Sequence, residues 1–203
     1  MGQFYSGQIT KKWVSFKPAL TFTAGSSADS LKGKDIEVQV NIAGENIVID
    51  LNFAVPATQQ EVWEVLIDFD RMADFVSNLK ESKVISVSED KLTIFQRGAG
   101  TYGPFTYPFE STREVRLVPY NKIRTHLISG NMHKLEGMTH LIDEGGQTRV
   151  IHRTDAIPKA WIPAAVGKIF IEHEMREQFN EMRNEIIKRK RASLKEMGMR
   201  ETR

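Results

Sequence analysis

Alternating strands joined by short turns, two short helices after the first strands and one long helix at the end predict an α+β fold. Such a chain makes a curled antiparallel sheet wrapped around its long C-terminal helix. In "IEVQVNI" apolar and polar residues alternate, "AGEN" supplies a turn, and "NIVIDLNFAV" puts Ile47, Ile49, Leu51, Phe53 and Val55 on one face. Pro56 closes that strand. Thr58 with Glu61 three residues on makes a capping box, and Val62, Trp63, Leu66 and Phe69 form a helical stripe behind it. "RMADFVSNL" predicts a second short helix.

Six further strands are read in "SKVISVS", "KLTIFQR", "FTYPFESTREVRLV", "KIRTHLISG", "KLEGMTHLID" and "TRVIHRTDAI". Signals such as Ser-Glu-Asp, Pro-Tyr-Asn-Lys and Glu-Gly-Gly mark turns between them. With no helix intervening, they form a meander. The final helix is expected from about Ile162 to about Lys195. It carries two stripes: Met175, Phe179, Met182 and Ile186 on one face, and Val166, Ile169, Phe170 and His173 on nearly the opposite one. Core packing accounts for one stripe; the other requires a cover or an occupant. A curled sheet gripping one helix tends to leave a cavity between them.

The 203 residues suggest one domain with appendages. Residues 1–34 read as an N-terminal extension and linker, 35–192 as the folded domain and 193–203 as a basic tail. The extension contains the linker-like "TAGSSADSLKGKD", yet Trp13, Phe16, Leu20 and Phe22 are too apolar for a pure tail. The net charge of +2 gives no argument for DNA, but from Arg183 onward eight basic residues face three glutamates. That end reads as a solvated helix terminus, with a peripheral membrane or ribosome contact as the alternative. No cysteine is present, which removes disulfides, thiol nucleophiles and cysteine-ligated metals and suits a reducing compartment. Without an apolar run of spanning length or a secretory leader, the expectation is a cytoplasmic protein; export with the leader already removed is the alternative. Met1-Gly2-Gln3-Phe4-Tyr5-Ser6 matches the myristoylation pattern, as six residues often do by chance.

Direct signs of chemistry are few. The five histidines, His126, His133, His140, His152 and His173, form no metal-binding pair, although His126 and His140 could approach each other from neighbouring strands. Asp68 and Asp70 sit between two short helices, where an Asp most simply caps the second. Gly98, Gly100 and Gly103 have the spacing G-x-G-x-x-G, but a strand with Pro104 and Pro108 follows where a dinucleotide site needs a helix. They read as a turn between two strands. No catalytic residue, metal site or cofactor is assigned.

The chain resembles the polyketide cyclase/dehydrase and lipid-transport superfamily, the START-like helix-grip group, over about residues 46–191. The pieces that carry the likeness are Val55-Pro56-Ala57, Val62-Trp63, Leu66-Ile67-Asp68-Phe69-Asp70 with Phe75, and Ser82-Lys83-Val84. "SGNMHKLEGMTHLI", "GGQTRVIHR" and Glu185 to Arg189 complete it, and the coenzyme Q-binding branch is the nearest likeness. The resemblance implies a hydrophobic ligand, such as a lipid, quinone or polyketide, held between sheet and helix. Phe105, Tyr107, Phe109 and Arg113 share one strand face. With Trp63, Phe75, Phe95, Tyr102, Trp161, Phe170, His173 and Phe179 they are the candidate cavity residues, and Tyr102 with its glycine turn is expected at the rim. Ligand carriage is the leading function. A cofactor-independent cyclase or dehydratase using the same cavity is the alternative, with Arg113, Tyr107 or His173 as its acid or base. A ribosome-associated, toxin-like protein is the third reading. The oligomeric state is left open.

Overall fold

The computed structural model describes residues 36–89, 91–160 and 164–201, except for the side chains of residues 105, 164, 165, 200 and 201. The N-terminal extension and Trp161 lie outside the described residues. Strands β1 (Glu37–Ala43) and β2 (Asn46–Val55) lead into helix α1 (Gln59–Leu66), a 3-10 turn at Phe69–Arg71 and the single-turn helix α2 (Met72–Phe75). Six strands follow: β3 (Leu79–Ser88), β4 (Lys91–Tyr102), β5 (Phe105–Val118), β6 (Lys122–Gly130), β7 (Met132–Asp143) and β8 (Thr148–Pro158). Helix α3 (Ala164–Glu201) ends the fold. The sheet order is β1-β2-β8-β7-β6-β5-β4-β3, with every pair antiparallel. This is the curled sheet and helical grip that the sequence predicts.

The expected cap of α1 is present. Glu61 N donates to Thr58 Oγ1 at 3.2 Å, and Thr58 N donates to Glu61 Oε2 at 2.7 Å. Val62, Trp63, Val65 and Leu66 turn inward, and the Trp63 ring meets Tyr120 edge-on at 6.0 Å. The inner face of β2 pairs in register with those of β1 and β8, as in Leu51 between Val38 and His152. From α3, Phe179, Met182 and Ile186 close over that face, with Phe179 edge-to-face on Phe53 at 6.0 Å. This half of the interior is fully packed.

Asp68 does not cap the following turn through its side chain. It accepts instead from Arg71 at 2.6 Å and from Arg189 at 2.8 Å, and Glu185 also holds Arg189 at 2.9 Å. Asp70 Oδ1 accepts from Val84 N at 2.7 Å and fixes the turn to β3. The network ties the α1–α2 junction to α3. Burial alone would raise the Asp68 and Glu185 carboxyls, but their arginine and lysine partners hold both below ordinary values. Carboxyls lowered in the fold contribute stability above their ordinary values and lose it as pH falls through the lowered ones. Asp68→Asn should therefore cost about 1 kcal/mol near neutral pH. In urea titrations the deficit should fade as pH falls from the ordinary carboxyl value of 3.8 through the lowered one, where the wild-type carboxyl itself becomes protonated.

The segment set apart as a basic tail continues α3, which runs helical through 193–201. Residues 191–199 are exposed. Of the basic run 188–191, Arg189 is used inside the domain, and Lys190 donates to Pro56 O at 2.7 Å. No helix is long and apolar enough to cross a membrane among the described residues.

Candidate functional site

The first half of α3 crosses the other end of the sheet, over β4. Glu174 accepts there from Thr101 N at 3.0 Å and from Asn78 Nδ2 at 3.3 Å. Two of the three glycines make this approach possible. Gly98 and Gly100 lie within β4 itself, and the turn begins only at Gly103, whose φ is +57°. A Cβ on Gly100 would sit 2.7 Å from Glu174 Oε2 and 2.8 Å from Phe170 Cζ, and one on Gly98 would overlap the Asn78 carbonyl oxygen. The glycines serve close packing of helix and loop on a strand.

Register decides which candidates face the interior. Tyr107, Phe109, Ser111 and Arg113 lie opposite Gly100, Gly98, Gln96 and Ile94, on the inner face of the sheet. Phe170 and Phe179 are buried on α3, and Tyr102 packs on His173 with ring centres 4.9 Å apart. Trp63 is core rather than lining, wedged between α1 and Tyr120. Phe75 lies under the Arg189 guanidinium, 5.4 Å from it. Phe95 alternates to the outer face, opposite Lys83, whose ammonium stands 5.4 Å over the ring. It is not a cavity residue. Phe105 pairs with Tyr102 at the hairpin end, and its side chain lies outside the described residues. On the second α3 stripe, Phe170 is buried while Ile169 is 54% exposed.

The centre of the inner face is polar. The Arg113 guanidinium donates to Gln96 Oε1, and Gln96 Nε2 donates to Ser82 Oγ at 2.9 Å. Arg113 Nε is buried without a hydrogen-bond partner. Burial pushes this arginine down to about 10, so it is still cationic at neutral pH. On β8, the His152 ring packs on Phe179 with centroids 5.0 Å apart. Its Nδ1 lies 2.8 Å from Thr139 Oγ1 and its Nε2 2.8 Å from Thr154 Oγ1. A neutral imidazole satisfies both hydroxyls, donating to one and accepting from the other. Burial and then the Arg113 charge push it down to about 4. Burial also raises the Tyr107 hydroxyl, so Tyr107 stays protonated.

His152 is not among the candidate cavity residues, because nothing in its spacing pairs it with another titratable group. Its inward position was nonetheless written in "TRVIHRTDAI", where Thr148, Val150, His152, Thr154 and Ala156 alternate with Arg149 and Arg153. His126 and His140 do not meet: His126 pairs across the strands with Glu136 and His140 with Lys122, both on the outer face. His126 bonds Glu136, and His140 Nε2 lies 2.9 Å from Met138 Sδ. No cluster of three or more potential metal ligands occurs among the described residues.

A histidine that stays neutral in the fold but protonates when unfolded removes stability as pH falls. For His152 the loss begins near its ordinary value of 6.5 and is complete near 4, about 3 kcal/mol in all. Ring-carbon NMR should find this imidazole neutral at pH 5, and His152→Gln should flatten the stability profile between pH 6.5 and 4.

Exposure divides the interior into two halves. Inward residues of β2 and α1 are buried, as are Val38 and Val40 of β1. By contrast Tyr107, Phe109, Arg113, Thr125, Leu127, Leu135, Gly137, His152 and Thr154 are each only partly buried, although they face inward. Arg113 and His152 belong to this second set, which lies at the end of the sheet crossed by the first half of α3.

A curled sheet closed by one long helix, packed at one end and loose around an arginine at the other, defines a helix-grip protein of the START-like class. The description "Polyketide cyclase / dehydrase and lipid transport" matches residues 55–183, and the chain belongs to that family. No curated protein sequence matches it. The Zhui aromatase/cyclase of Streptomyces sp. R1128 is similar in structure, with a TM-score of 0.63 at 14% identity, covering 73% of this chain and 98% of that one. A STAR-related lipid transfer protein from Xanthomonas axonopodis has a TM-score of 0.62 at 14% identity, covering 79% and 97%. Human StAR-related lipid transfer protein 5 follows with a TM-score of 0.56 at 10% identity, covering 78% and 88%. At these identities the likeness is one of fold.

Proposed function

We propose that the protein binds and carries a hydrophobic small molecule, a lipid, quinone or polyketide-like compound, in the space between β4–β8 and the first half of α3. The observation that carries this reading is that Tyr107, Phe109 and Arg113 face inward along β5 yet are only partly covered, which sets a cationic guanidinium among aromatic side chains. A guanidinium N–H donating to a ligand oxygen would contribute about 1.5–3 kcal/mol. The ligand is thus apolar over most of its surface and bears one acceptor oxygen, such as a carbonyl, phenolate or carboxylate. Names borne by structural neighbours, a lipid transfer protein and an aromatase/cyclase, are in keeping with this chemistry.

The cyclase reading keeps one observation of its own: Arg113 and His152 converge on the same interior. Arg113 would polarise a carbonyl, and ring closure then needs a base for the adjacent carbon. An imidazole pushed down to about 4, with both nitrogens bonded to threonines, is a poor one. Carriage therefore ranks first.

Native mass spectrometry with organic extraction, on protein from its own host, tests the proposal. An apolar oxygen-bearing compound should be released at one per chain. Protein that purifies empty and takes up no apolar probe would overturn it.

A further inference from the structure

Strands β6 and β7 begin as a regular hairpin. Their pairs run from Lys122↔His140 to His126↔Glu136 and then stop, although four more residues on each strand precede the turn at Asn131. Beyond His126 the two strands part. Leu127, Ser129 and Gly130 follow β5, pairing with Arg113, Thr112 and Ser111. Met132, Lys134 and Leu135 follow β8, pairing with Pro158, Ile157 and Ala156. A ladder-free opening is left inside the sheet.

The fork is held open by contacts of its own. On one side Asn131 N donates to Glu110 O at 3.0 Å, Asn131 Nδ2 donates to Pro108 O at 2.8 Å, and Glu110 N donates to Asn131 Oδ1 at 3.0 Å. On the other, Lys159 N donates to Asn131 O at 3.2 Å and Lys159 Nζ to Gly130 O at 2.8 Å. Gly130 has φ +145°, and a Cβ there would lie 2.8 Å from Ser111 Cα, so the strand can lie this close to β5 only as glycine. Unpaired strand backbone is normally closed by its neighbour. Here the hairpin tip is tied to both flanking strands instead.

A concavity of about 610 Å³, open to solvent, lies over the fork. Leu127 and Leu135 line it, and both belong to the inner face of the sheet, Leu127 directly opposite Arg113. These two side chains therefore stand between the opening and the loosely packed half of the interior. We propose that the β6–β7 fork is a lateral portal through which an apolar ligand passes between solvent and the Arg113 end of the cavity. The proposal rests on the binding function above and adds the route.

The absence of cysteine in the chain makes a direct test available. Ser129 and His133 stand on the two arms of the fork, both exposed. The double variant Ser129→Cys/His133→Cys, bridged by a short bis-maleimide, closes the portal. The probe is 1-anilinonaphthalene-8-sulfonate, followed by stopped-flow fluorescence. Bridging should slow uptake and release together by about tenfold or more and leave equilibrium affinity unchanged, and the unbridged double variant should match wild type. Unchanged rates in fully bridged protein that still binds the probe would overturn the portal and leave the binding function standing. Failure of wild type to bind the probe at one site per chain would instead overturn the binding function, and the portal with it.

Discussion

Gly98→Val will lower the thermal midpoint by about 10 °C. The Cβ of any other residue at this position would overlap the carbonyl oxygen of Asn78 and stand 2.8 Å from Phe109 Cζ. That oxygen already accepts from Ala99 N at 3.0 Å, so it is backbone held by backbone and cannot swing aside. The strand or the α2–β3 connection must move, at a cost on the order of 3 kcal/mol. Gly103→Val is the control. Nothing lies within 4 Å of its added Cβ, and only its positive φ is strained, so about a third of the effect is expected. Differential scanning fluorimetry reads both. An equal effect at the two positions would mean that glycine conformation, rather than close approach, sets the requirement.

This pair also shows what the sequence could and could not disclose. Strand alternation and helical stripes were legible because burying one face writes a period into the residues, and Ile47 to Val55 and Phe179 to Ile186 carry it plainly. Strand β4 breaks the rule. Its inner face holds Gln96, Gly98 and Gly100, while its outer face holds Phe95. The inner face must admit α3 and answer the Arg113 charge, so it gives up apolar bulk where packing alone would supply it. Reading by hydrophobicity therefore assigned Phe95 to the wrong side and took a strand for a turn.

The polar centre was half legible. Arg113 follows from continuing the face of Tyr107 and Phe109 along β5. His152 needs the register of β7 against β8, which brings Thr139 alongside it, and no spacing in the sequence encodes that pairing. The β6–β7 fork is equally silent. "KIRTHLISGNMHKLEGMTHLI" reads as one unbroken hairpin, and the contacts that open it come from Glu110, Pro108 and Lys159 on other strands.

Arg113→Met will weaken binding of an oxygen-bearing apolar ligand by about 30-fold, equivalent to about 2 kcal/mol for a hydrogen bond to a charged donor. The same change should leave folding stability within about 1 kcal/mol of wild type, because the relief of burying a guanidinium offsets the Gln96 oxygen that loses its donor. A buried guanidinium bonded to one amide is costly to desolvate, and an unbranched apolar side chain fills similar space without that cost. Loss of affinity together with nearly unchanged stability separates a ligand anchor from a structural arginine. Isothermal titration and chemical denaturation of the same preparation give both readouts. Were Arg113 a structural residue, the variant would lose stability and keep its affinity.

The central claim is that the Arg113 guanidinium donates to a ligand oxygen within the loose half of the interior. NMR of the arginine Nε–H resonances during titration with 2-naphthol, a bicyclic aromatic with one hydroxyl oxygen, tests it most directly. The account predicts one saturable site that shifts the Arg113 Nε–H resonance together with those of His152 and Tyr107, and that is lost in Arg113→Met. Saturable binding that leaves the Arg113 resonance in place would contradict it.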